Sequence, residues 1–162
     1  MDAHHFRMPD CERVVFEVFQ TSLVPHVNGR HPDGEWESSI YDQQPWQDLP
    51  FSFLSPEYAG ALSDEGFAYY LPAYLIATSR CDWMDITALM ARLYTPGVPT
   101  PNLFEIDPWW ADFNSWNRLM DSLSMDQKAA VRLWVEVMTT RSQDEETRRQ
   151  LMVMLANYWS AF

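Results

Sequence analysis

Glycine is scarce in this 162-residue chain, with only five in all. Loops that cradle phosphates need several glycines at fixed spacing, and no P-loop, G-x-G-x-x-G or G-x-S-x-G motif occurs. Cysteine is rarer still. Cys11 and Cys81 stand far apart and form no C-x-x-C pair, so a disulfide framework or a thiolate metal site is excluded and two reduced, buried thiols are expected. Apolar runs long enough to cross a bilayer are missing, since none reaches about 18 residues. The polar start MDAHHFRMPD lacks the apolar core of a secretion signal. A cytoplasmic protein with no membrane partner is the expectation.

Positive charge is missing where it matters most. No Lys or Arg lies between His31 and Ser79, a stretch that holds eight acids. From Arg30 to Asp126 there are fifteen Asp and Glu against four Arg, so eleven of the chain's twelve net negative charges sit there. Such a field repels nucleic-acid phosphates and draws in basic proteins. Nucleic acid is therefore disfavoured, so no nucleic-acid partner is expected, and the charge serves either a basic protein partner or plain solubility.

Aromatic residues are plentiful, with eight Trp, seven Tyr and nine Phe. They supply large buried areas and also concentrate at binding surfaces. The apolar positions follow helical spacing nearly throughout. A first helix begins near Pro9 and Asp10 and carries Cys11, Val14, Val15, Val18 and Phe19. Asn28 to Pro50, with its NG and DG turns, is a long acidic loop with a short helix expected near Glu37 to Gln43. Ser55, Pro56 and Glu57 have the chemistry of a helix start, as does Ser63 followed by Asp64 and Glu65. CDWMDITALMARLY places Ile86, Leu89, Met90 and Leu93 on one face. The proline-rich Thr95–Pro101 is a connector. Asp107 and Pro108 open a helix with Trp109, Trp110, Phe113 and Trp116. Ser124–Gln127 (SMDQ) and Ser142–Glu145 (SQDE) both fit the capping box. The helices after them are expected to bury Val131, Trp134, Val135 and Met138, then Leu151, Met152, Leu155 and Trp159. Seven or eight helices in a single compact all-α domain, residues 1–162, follow from this pattern.

Pro72 interrupts the most apolar segment, GFAYYLPAYLIA. A helix-interior proline removes one hydrogen bond and clashes with the carbonyl four residues back, here Ala68, at about 3 kcal/mol. Phe67, Tyr70, Leu71, Tyr74 and Leu75 supply the packing that holds such a site. A bent central helix is expected.

The stretch FLSPEYAGALSDEGFAYYLPAYLIAT, Phe53 to Thr78, resembles the signature of an uncharacterised bacterial family with F-L-[ST]-P-E and an aromatic pair before L-P-A. PWQDLP (Pro45–Pro50) and LSMDQKAAVRLWVEVM (Leu123–Met138) are similar to its flanking elements, so the resemblance covers Pro45 to Met138. YAGALSDEG departs from it as an insertion. The resemblance implies a bacterial, mostly helical, cytosolic domain and brings no catalytic residue with it.

No catalytic residue, metal ligand or cofactor site is identified. His4, His5, His26 and His31 sit on termini or loops and offer no rigid converging set. Cys81 lacks a placed histidine. Asp82 and Asp85 are read as dipole or capping groups. Asp107 and Asp112 beside Trp109 and Trp110 are read as a cap with core aromatics, not as a cation-binding lip. Asp144–Glu146 with Arg148 and Arg149 reads as a solvated face with i,i+4 pairs.

The partner site is placed on the acidic loop Asp33–Asp48. Its candidates are Asp33, Glu35, Trp36, Glu37, Tyr41, Asp42 and Asp48, with Trp46 interleaved and readable instead as a core residue. Acids speed association with a basic surface and aromatic anchors supply affinity. This is the charge design of immunity proteins and antitoxins, which present carboxylates to a basic toxin such as a nuclease. Two alternatives remain. One is an adaptor, of a phage-related kind, that uses the same surface. The other is an enzyme with a cleft carboxylate pair, which requires a cavity holding a carboxyl group raised in pKa by burial.

Overall fold

The computed structural model describes residues 8–20, 44–50, 54, 59–60, 62–81, 84–94 and 113–162. Among them are six α-helices, two short 3-10 turns and no β-strand, as the apolar spacing requires. The helices are α1 (Met8–Val18), α2 (Asp64–Arg80), α3 (Thr87–Leu93), α4 (Phe113–Ser122), α5 (Met125–Arg141) and α6 (Glu145–Asn157). The 3-10 turns are Trp46–Asp48 and Trp159–Ala161. The expected helix at 37–43, the start at Ser55–Glu57, the connector Thr95–Pro101 and the Asp107 cap with Trp109 and Trp110 lie outside the described residues.

α2 is the centre of the domain. Thirteen of its seventeen residues are buried, and a helix buried on all sides must have neighbours all round. α1, α4, α5 and the Trp46 turn all pack on it. Ser63 caps it, accepting from the Gly66 amide at 3.1 Å. The helix runs through Pro72 without a break. Tyr70, Leu71, Tyr74 and Leu75 are fully buried around the proline, so packing offsets its local cost. Near its end Thr78 donates to the Tyr74 carbonyl at 2.7 Å and accepts from the Trp134 indole at 3.0 Å. That buried hydroxyl joins α2 to α5 with both of its polar functions used.

α5 carries the capping box read from SMDQ. Ser124 accepts from the Gln127 amide, and the Gln127 side chain accepts from the Ser124 amide. The Gln127 side-chain nitrogen also donates to the Val18 carbonyl at 3.3 Å, closing the end of α1. Replacing Ser124 with alanine is expected to lower stability by about 1 kcal/mol. Urea unfolding checks this, and an unchanged midpoint would mean that α5 does not depend on its cap.

Four details depart from the sequence pattern. The α6 cap is Asp144, which accepts from the Thr147 amide at 2.7 Å. Ser142 instead ends α5 and turns its hydroxyl to the Asp144 carbonyl. Met152 is 56% exposed, and Met154 takes its place in the core beside Leu151. Phe113 is likewise exposed, while Trp116 one turn on is buried. On the solvated start of α6 the ion pair is Arg149 with Glu146, three residues apart.

At the C-terminus Trp159 is fully buried and its indole donates to the Leu93 carbonyl at 3.0 Å. Trp116, Tyr158 and Trp159 meet edge to face at 5.0–6.2 Å. This cluster pins α4 and the chain end together.

Candidate partner-binding site

The acidic loop reaches the described part of the fold at Gln44. From there to Pro50 it is clamped to the helical core at three points. The Tyr70 hydroxyl donates to the Gln44 carbonyl at 2.6 Å. Trp46 is 3% exposed, its indole donates to the Phe19 carbonyl at 3.1 Å, and its ring meets Phe16 edge to face at 5.6 Å. Leu49 is buried beside them. The loop is thus anchored at its C-terminal end to the last turn of α1 and the middle of α2.

Of the seven residues expected to meet a partner, Asp33, Glu35, Trp36, Glu37, Tyr41 and Asp42 lie outside the described residues. Asp48 closes the Trp46–Asp48 turn and is exposed. Of the two readings open for Trp46 the core anchor is the observed one, because its indole N–H is satisfied by a buried carbonyl 27 residues away in sequence. The exposed ring beside the turn is Phe16, 51% exposed on the outer face of α1. Helical spacing alone leaves Phe16 off the apolar face of Cys11, Val15 and Phe19. That mismatch is the signal that it faces outward.

A second charged assembly was not legible in the sequence. The Asp64 carboxylate, at the start of α2, accepts from Arg92 at 3.2 Å, from Arg118 at 2.8 Å and from the Ser115 hydroxyl. Arg92 has a side chain only 2% exposed; it also donates to the Leu62 carbonyl at 2.9 Å and lies 4.4 Å from the Phe67 ring centroid. Its partners hold the starts of α2 and α4 against α3. The arrangement is a structural clamp, since its carboxylate is saturated by donors of its own chain.

The enzyme alternative can be weighed at a cavity of about 420 Å³ between the ends of α2 and α5 and the start of α6. Asp85 and Asp144 both line it. Hydrogen bonds from Thr147 hold the Asp144 carboxyl below the usual carboxylate range. That displacement is opposite to the one a proton-donating acid needs. Cys11 and Cys81 are free thiols, Cys11 buried and Cys81, contrary to expectation, only partly so. Burial pushes the Cys11 thiol up to about 11 against a smaller downward pull from its hydrogen bond with Ser79. It is therefore protonated and unreactive at neutral pH.

The described residues form a helical domain with the segment 44–50 packed on its core. Over residues 29–162 the chain matches DUF6714, a family of unknown function, and belongs to that family. The match extends past Pro45–Met138 at both ends and takes in the acidic stretch Asp33–Asp48 and α6. No curated protein and no solved structure matches the chain. Among the described residues no helix is long and apolar enough to cross a membrane.

Proposed function

We propose that this protein is an acidic binding module that captures a basic protein, in the manner of an immunity protein or antitoxin neutralising a toxin such as a nuclease. The observation that carries this reading is the mooring of the acidic segment. Trp46 and the Gln44 carbonyl fix its end to the core while Asp48 faces solvent. A charged segment held at a rigid base loses less entropy on binding than a free tail. Its carboxylates, unopposed by any Lys or Arg between His31 and Ser79, steer a cationic surface and repel phosphates.

The test is capture of a basic protein from an extract of the source organism, at low and at high salt. Screening shortens from about 8 Å at 0.15 M to about 3 Å at 1 M. Capture is expected to fall at least about tenfold at high salt, and again when Asp33, Glu35 and Glu37 become Lys. Undiminished capture after those reversals would remove the proposed surface. Activity of the captured protein separates the readings: an inhibitor abolishes it, and an adaptor leaves it intact.

A further inference from the structure

The cavity where the chain passes from α2 to α3 and from α5 to α6 is lined by both apolar and charged side chains. Met84 and Ile86 are buried there, and Met138 packs partly buried beside them. Asp85 and Asp144 line it as well. Each carboxylate is fixed by its own chain: Asp85 Oδ1 accepts from the Thr87 amide at 2.9 Å and hydroxyl at 2.6 Å, and Asp144 Oδ2 accepts from the Thr147 amide. Arg141 also lines the cavity, and its guanidinium donates to the Ser79 carbonyl in the last turn of α2. There it meets the negative end of the α2 dipole. Two carboxylates against one guanidinium leave the lining net negative.

We propose that this cavity is a second contact for the basic partner and receives one of its arginine side chains. The methylenes would lie along Met84, Met138 and Ile86, with the guanidinium between Asp85 and Asp144. The inference rests on the reading that the partner is basic, but concerns a different surface from the acidic loop. Three features select this occupant. An arginine is an apolar stem with a cationic head, matching the two kinds of side chain in the lining. Its planar fork matches preset carboxylates, and thioethers adapt to a stem of irregular course. The volume lies near the low end of the range of roughly 300–1,000 Å³ for ligand sites, which suits one long side chain. A purely apolar side chain would strip water from two carboxylates without replacing it, and an anion would face them directly.

The probe is N-acetyl-arginine-N-methylamide, compared with its neutral citrulline isostere and with free arginine. The readout is the methyl spectrum of the full chain labelled with ¹³C-methyl methionine. Met84 and Met138 report on the cavity, while the exposed Met125 and Met152 lie outside its lining. The blocked arginine is expected to shift Met84 and Met138 saturably. The citrulline isostere should bind at least about tenfold more weakly, as should the double variant Asp85→Asn and Asp144→Asn. Asparagine keeps the α6 cap, so unchanged signals of the buried Met90, Met120 and Met154, which lie outside the lining, certify that variant as folded. Equal binding of the citrulline isostere, no saturable shift, or binding of free arginine alone each overturns the proposal. Partner capture by the acidic loop without arginine binding here defeats only this inference. Arginine binding here with no basic partner captured defeats only the function proposed above.

Discussion

Trp46→Ala is expected to lower the free energy of unfolding by about 3–5 kcal/mol, the usual cost of emptying a buried tryptophan site. Three losses combine: the ring leaves the core, the Phe19 carbonyl loses its indole donor, and Phe16 loses its edge-to-face neighbour. Trp46→Phe separates them. It keeps most of the apolar volume and removes the hydrogen bond, so about 1–2 kcal/mol should be lost. Urea midpoints at constant slope measure both. A Trp46→Ala loss below about 1 kcal/mol would show that this residue does not moor the loop. Under conditions where the variant remains folded, the association rate with a basic partner should also fall, because the acids no longer share a fixed base.

The second large effect is at Asp64. Asp64→Ala removes the common acceptor of Arg92, Arg118 and Ser115. The three donors do not count equally. Arg118 has a side chain 61% exposed, so water replaces its partner and little is lost. Ser115 and Arg92 are buried, and a buried charge deprived of a carboxylate is strongly destabilising, at about 3 kcal/mol or more. Arg118→Ala should accordingly cost below about 1 kcal/mol. Equal costs for the two variants would contradict the division between dry and wet partners. Replacing Asp64 and Arg92 together by apolar residues of matched size should recover part of the loss, as it removes the stranded charge.

These results bear on how far local signals reach. The caps at Ser63 and Ser124 were legible because donor and acceptor lie three residues apart. The SQDE motif misled for the same reason of scale. Ser142 and Asp144 both offer a capping oxygen, and the tight return from α5 to α6 assigns Ser142 to the helix before and Asp144 to the helix after. Met152 misled because Leu151, Met152, Val153, Met154 and Leu155 are all apolar. A run without polar gaps carries no phase, so contact with α5 chose Leu151 and Met154 for the core.

By itself the sequence determined the helical class, the centrality of the Pro72 segment, the helix starts at Ser63 and Ser124 and the concentration of negative charge between Arg30 and Asp126. All of these depend on composition or on spacings of a few residues. Tertiary structure alone decided that Trp46 turns inward, that Asp64 gathers Arg92, Ser115 and Arg118 from 28 to 54 residues away, and that two stretches distant in sequence, 81–87 and 138–147, line one cavity. Each of these depends on which distant groups meet, and desolvation makes such meetings strong only once the chain has folded.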